Sequence, residues 1–320
     1  MTIVRQPTRA GVRDAAAKIA AILPPTPIFT REIKGVPVTF KAECLQPVGA
    51  FKIRGAWHRL TALEPGQRAR GVVGFSSGNH AQGLAWAARR LGVAATIVMP
   101  ADAPRAKRDA TLALGAEVVS YDRATESREA IAGALAEARG ATLVPSFDDP
   151  WIIEGQGSAG IEAGEQMRAA GLGEPVRVVV PCGGGGLAAG IALGLKDAAV
   201  TVAEPEGWHD MRASLEAGWI EPVGANPPPT ACDALQTTRV SPLTFDVLSR
   251  RGAQGVAVGE GEIAAAQRWA AAHLRLVVEP GGAVALAAVL SGKVAAAAGT
   301  LVILSGGNVD LADYGRVLSG

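Results

Sequence analysis

Cysteine is scarce in this chain of 320 residues: Cys44, Cys182 and Cys232 are an odd number, far apart, with no CxxC spacing. That argues against a disulfide framework and a structural zinc site, and points to a reducing compartment. An excess of charge of one sign is also missing. The 31 basic and 30 acidic residues nearly cancel, so no global field draws the chain to nucleic acid or to an anionic membrane. The Ala-rich run from Val294 to Leu304 is too short to span a bilayer, and the opening MTIVRQPTRAGVRDAAAK has no apolar core followed by a small-residue cleavage site. No internal repeat of fixed period and no low-complexity tail occur. The expectation is a cytoplasmic globular protein whose partner is a small molecule.

What is present is apolar material, 48% of residues against 19% charged, enough for one large domain or two modest ones. From Gly71 onward, short β-branched runs alternate with Ala-rich segments of helical period, as parallel βα units do. The strand candidates are VVGFS (72–76), ATIVMP (95–100), EVVSY (117–121), ATLVPS (141–146), VRVVVP (176–181), VTVAEP (200–205) and TLVILS (300–305). Helix candidates between them include AQGLAWAARRLG and ESREAIAGALAEARG. Runs that are apolar on both faces suit a sheet covered by helices on both sides. The cluster GANPPPTACDAL (224–235) reads as a long connection.

Ligands of open α/β sheets bind at strand carboxyl ends, which directs attention to three strand-to-helix turns: SSGNH (76–80), CGGGG (182–186) and SGGN (305–308). The glycines of CGGGG let backbone N–H groups approach an anion at a helix N-terminus. No GK[ST] follows them, which speaks against a nucleoside-triphosphate loop. Gly184, Gly186 and Ala189 also satisfy a loose dinucleotide pattern, with Glu204 about 20 residues on, so a nicotinamide-dependent oxidoreductase stays open at this point. SSGNH gathers two hydroxyls, an amide and an imidazole where a helix cap needs only one of them. Lys52, in GAFKIRGAW, lies between Phe51 and Ile53. It is either a snorkelling surface lysine or a desolvated amine suited to Schiff-base formation.

Taken together and in order, GAFKIRG, SSGNH, CGGGG and SGGN resemble the fold-type II pyridoxal-phosphate enzymes, specifically the threonine and serine ammonia-lyases (dehydratases) and serine racemases, over nearly the whole chain. The resemblance implies an α/β fold of the tryptophan synthase β-subunit-like class, with two open, mostly parallel sheet domains and pyridoxal 5'-phosphate in the cleft between them. Residues 1–66 and 148–320 would form the large domain, and 67–147 the small one. Lys52 matches the lysine that carries the cofactor, Phe51 the residue flanking the pyridine ring, and Asn79 the side chain that holds the phenolic oxygen. Gly183, Gly184, Gly185 and Gly186 match the phosphate loop. Ser305 matches the hydroxyl facing the pyridine nitrogen, a neutral partner that favours elimination over transamination. Ser77 matches the serine opposite the lysine, the second acid/base of the racemases. Ser76, Ser77, Gly78, Asn79 and His80 would bind the substrate carboxylate. Glu204 and Asp210, with the Trp208 carbonyl between them, match a Mg²⁺ or Ca²⁺ site of part of the family. Its competitor is a solvated acidic loop.

The resemblance implies β-elimination of water from L-threonine or L-serine, giving a 2-oxo acid and ammonia, in a homodimer. Arg128, in TESREAI, matches an arginine on the substrate side of the small domain in racemase-like members. There it would pair with a second carboxylate and make 3-hydroxyaspartate the substrate, whereas the plainer reading is an exposed helix arginine between Glu126 and Glu129. Serine racemisation is a further alternative. TACDAL (230–235) and EPGGA (279–283) depart from the usual family pattern, in which a glycine follows the aspartate and EPSGA is common, which affects the substrate pocket. With 15 residues after Ser305, no effector-binding domain is expected, and the role reads as catabolic or salvage.

Overall fold

The computed structural model describes residues 5–103 and 105–320. Among them ten strands form two sheets. They are β1 (Ile28–Ile33), β2 (Val36–Ala42), β3 (Val72–Phe75), β4 (Ala95–Pro100), β5 (Glu117–Tyr121), β6 (Thr142–Leu143), β7 (Arg177–Pro181), β8 (Ala199–Pro205), β9 (Gln254–Val258) and β10 (Thr300–Leu304). A six-stranded sheet runs β1-β2-β10-β7-β8-β9 and a four-stranded sheet β5-β4-β3-β6. Every pairing is parallel except β1 with β2. The fold is therefore α/β with two mostly parallel sheets, as expected.

Alternation along the central strands fills two cores. Val179, Val302 and Leu304 belong to one, with the helix Pro280–Leu290. Val178, Val180, Leu301 and Ile303 belong to the other, with the helix Gly186–Gly194. Successive side chains of a strand point to opposite faces, so a run apolar throughout serves both layers.

Two strands lie before the region where the alternation begins. β1 and β2 form a hairpin closed by Lys34 and Gly35, both at positive φ (53° and 78°), the conformation that suits a two-residue hairpin turn. β9 was not among the sequence candidates either. Conversely, of ATLVPS only Thr142–Leu143 pairs. Pro145 has no N–H to donate, and the chain turns here toward the helix Pro150–Ala169.

That helix packs backbone against backbone. A Cβ at Gly155 would meet the Gly55 Cα at 2.5 Å, and one at Gly157 would collide with the Gly190 carbonyl. The helix Lys52–Thr61, which opens on Lys52, is thereby seated directly on its neighbour. Arg54 anchors it further: its guanidinium bonds Glu43 at 2.7 and 2.8 Å, both side chains being buried. Burial pushes the Glu43 carboxyl up, but the Arg54 charge overrides this and holds it down at about 2. Among the described residues no helix is long and apolar enough to cross a membrane.

Candidate active site

The carboxyl ends of β3, β7 and β10 deliver the turns 76–80, 182–186 and 305–308 to one cavity. Phe51 and Lys52 line it, as do Ser76, Ser77, Gly78, Asn79 and His80, Arg128, all four glycines 183–186, and Ser305. Lys52 reaches it because the Phe51 N–H bonds the Ser305 carbonyl at 3.1 Å, tying the helix start to the end of β10. The Lys52 amine donates to the Ser146 carbonyl at 2.7 Å and stands 5.1 Å from the centre of the Phe51 ring. It has no carboxylate partner among the described residues, and burial pushes it down to about 8. A lysine lining a cavity with its basicity lowered by burial differs from a snorkelling surface cation.

The glycine turn fills several constraints at once. Gly185 sits at φ +86°, capping the helix Gly186–Gly194, and a Cβ at Gly184 would collide with the Phe147 ring. A Cβ at Gly186 would press on Phe147 at 3.0 Å, and one at Gly183 would stand 3.0 Å from Thr237 Oγ1. The result is a bare backbone surface at a helix N-terminus, able to receive a phosphate.

Asn79 opens the helix Asn79–Leu91. Its Nδ2 donates to Glu279 Oε1 at 2.6 Å, and its Oδ1 accepts from Asn308 Nδ2 at 2.8 Å, so the amide is fixed from both sides. Burial, then the Asp233 charge, pushes the Glu279 carboxyl up to about 7. His80 turns inward, its Nε2 3.0 Å from the Val144 carbonyl, and burial followed by the Lys52 charge pushes it down to about 3. It is a neutral ring at ordinary pH. Ser76 Oγ accepts from the Gly78 N–H at 3.1 Å. Arg128 stands at the opening, 5.7 Å from the centre of the Phe75 ring, and pairs with Glu129 at 2.7 Å.

Glu204, Trp208 and Asp210 lie outside this cavity. Glu204 accepts from the N–H groups of Met211 and Arg212 at 3.0 and 2.8 Å, capping the helix Asp210–Ala217. That removes the ribose-binding acid on which a nicotinamide site would depend. Asp210 is buried, and its carboxylate oxygens make no well-formed hydrogen bond, although the backbone N–H groups of Asp210, Val240 and Met211 lie near enough to favour its charged form in part. Burial raises it to about 7, while burial and the Asp210 charge hold Glu204 well above the usual carboxylate range. No group of three or more His, Cys, Asp or Glu side chains among the described residues is arranged to hold a metal. All three cysteines are free and buried.

A family model described as pyridoxal-phosphate dependent enzyme matches residues 20–306. The chain belongs to that family. A Pseudomonas protein named L-threo-3-hydroxyaspartate ammonia-lyase is 40% identical over 97% of this chain and 98% of its own. A Schizosaccharomyces pombe serine racemase is 36% identical over 98% of each chain. The solved structure of a threonine deaminase from T.th. superposes with a TM-score of 0.87 at 40% identity, over 95% of this chain and 99% of that one.

The cavity fits the family's cofactor on its own geometry. Gly183 to Gly186 leave room for its phosphate, Asn79 and Ser305 face it with neutral polar groups, and the Lys52 amine is free of any anion that would keep it charged. Several residues that line this cavity were not singled out in sequence: Lys107, Ser146, Phe147, Asp233, Thr237 and Glu279. Asp233 and Glu279 lie in the two segments, TACDAL and EPGGA, that depart from the family pattern. The second departure is closely packed: a Cβ at Gly281 would stand 3.2 Å from Leu235 Cγ, so a side chain there would press on that leucine.

Proposed function

We propose that this protein is an ammonia-lyase that acts on a 3-hydroxy amino acid bearing a second carboxylate, 3-hydroxyaspartate. The observation that carries this reading is Arg128 at the opening of the cavity that Lys52 and the 76–80 turn line. A guanidinium there matches a carboxylate as a methyl group or hydrogen does not. The name of the Pseudomonas relative supports it.

Pyridoxal phosphate, when bound, supplies the sink for the electron pair left as the α-proton departs. Lys52 is the base that takes that proton, and its lowered basicity keeps part of it neutral near physiological pH. The N–H groups at the start of the helix Asn79–Leu91 hold the α-carboxylate. Arg128 holds the second carboxylate and so orients the β-carbon. Loss of the β-hydroxyl as water leaves an enamine that hydrolyses to oxaloacetate and ammonia. In this reading residues 1–66 with 148–320 and residues 67–147 are two domains of a cytoplasmic homodimer, and Glu204, the Trp208 carbonyl and Asp210 hold Mg²⁺ or Ca²⁺.

L-Threonine or L-serine is the second reading, favoured by the pairing of Arg128 with its neighbour Glu129. Racemisation is a side activity to measure, because Ser77 and Lys52 line the same cavity. The test is a 2-oxo acid assay over the 3-hydroxyaspartate isomers, L-threonine, L-serine and D-serine, with chiral analysis of the serine. The highest kcat/KM is expected on L-threo-3-hydroxyaspartate; a higher value on L-threonine or L-serine would overturn the assignment.

A further inference from the structure

Lys107 and Asp233 form an ion pair at the cavity although 126 positions separate them. Lys107 belongs to the helix Arg105–Ala113, next to the four-stranded sheet, and Asp233 opens the short turn Asp233–Leu235 against the helix Pro280–Leu290, which packs on the six-stranded sheet. The pair therefore bridges the two sides of the opening. Its members differ in shelter: the Lys107 side chain is 21% exposed and that of Asp233 53%. The cation is the held partner and the anion the replaceable one.

The ammonium also stands over the turn that receives the α-carboxylate. A Cβ at Gly78 would find Lys107 Nζ at 3.9 Å and nothing closer. A substrate seated on that turn thus extends toward a cation already satisfied by a carboxylate. Exchanging Asp233 for the second carboxylate of the substrate keeps the Lys107 charge paired, and the displaced Asp233 side chain, half exposed, returns to water. A substrate without that group leaves the Lys107–Asp233 pair intact. Arg128 approaches the same opening from another helix, and a carboxylate has lone pairs for both cations.

We propose that Lys107 is a specificity-determining residue: it binds the second carboxylate of a dicarboxylic amino-acid substrate in the position that Asp233 fills in this structure. The proposal rests on the 3-hydroxyaspartate reading and adds to it a second cation and the internal competitor for that cation.

The test compares holoenzymes of the wild type, Lys107→Met, Lys107→Arg and Asp233→Asn. In Lys107→Met the ratio of kcat/KM on L-threo-3-hydroxyaspartate to that on L-serine is expected to fall about 10- to 100-fold, the worth of one charged hydrogen bond, mainly through KM. Lys107→Arg should restore most of it. Succinate, an unreactive dicarboxylate that competes with L-serine, should lose affinity in Lys107→Met by a similar factor and gain affinity in Asp233→Asn, which keeps the lysine. An unchanged ratio in Lys107→Met, or succinate inhibition indifferent to both substitutions, would overturn the role of Lys107 and leave the substrate assignment standing. A wild-type enzyme that turns over L-serine and none of the hydroxyaspartate isomers would instead refute the substrate reading itself.

Discussion

Asn79 Nδ2 donates to Glu279 Oε1 over 2.6 Å, joining two residues 200 positions apart inside the cavity. The carboxyl that receives this bond is raised from 4.5 to about 7 by burial and by Asp233. A carboxyl whose folded value is raised stabilises the fold fully below its unfolded value, and that contribution is lost as pH rises through the folded value. The apoprotein should therefore lose stability between about pH 4.5 and 7 through this group. In Glu279→Gln that part of the slope disappears, an effect of about 1–3 kcal/mol. Urea titrations of both proteins at pH 5 and 7.5 measure it; equal slopes would show that Glu279 is not protonated on folding.

Gly184→Ala places a methyl against the Phe147 ring. Overpacking of this kind costs about 1–3 kcal/mol, and here it falls on the glycine turn proposed to receive the phosphate. Cofactor affinity, read by absorbance titration, should weaken by about tenfold or more.

Glu43→Ala removes the bidentate partner of the buried Arg54 and leaves it Glu162, at 2.9 Å, as the remaining carboxylate. The expected loss is about 3–5 kcal/mol, measured by chemical denaturation. Replacing both residues with apolar side chains of similar volume should recover much of it.

Asp210 concerns the cation. Burial raises its carboxyl to about 7, so a divalent ion competes with a proton for it near neutral pH. Ca²⁺ or Mg²⁺ should raise Tm, more strongly above pH 7 than below it, and Asp210→Asn should abolish the increase. A Tm indifferent to both ions at pH 8 would dismiss the site.

The parallel framework was legible because buried strands are apolar on both faces: β4 and β5 coincide with ATIVMP and EVVSY to the residue. The β1–β2 hairpin was not, since REIKGVPVTFK mixes charges with apolar residues and its Lys41 is buried among Thr26, Glu162 and Gln166. In the site, the turns at strand ends announced themselves through glycine and hydroxyl clusters. Lys107, Asp233 and Glu279 did not, because a charged residue carries no local signal of a partner far along the chain. Arg128 shows both sides of this limit: it is surface-paired to Glu129, as its neighbours imply, and it also lines the cavity.

The seat beneath Lys52 has an evolutionary consequence. Gly55 and Gly155 leave no volume between their backbones, so almost any side chain introduced there would displace the helix that opens on Lys52, and Gly157 with Gly190 seats the helix Gly186–Gly194 in the same way. Lys107, Arg128 and Asp233 line the cavity away from that packed seat, so exchanging them leaves its backbone contacts intact. New substrate preferences within such a scaffold can arise by a few changes of charge around an unaltered catalytic floor.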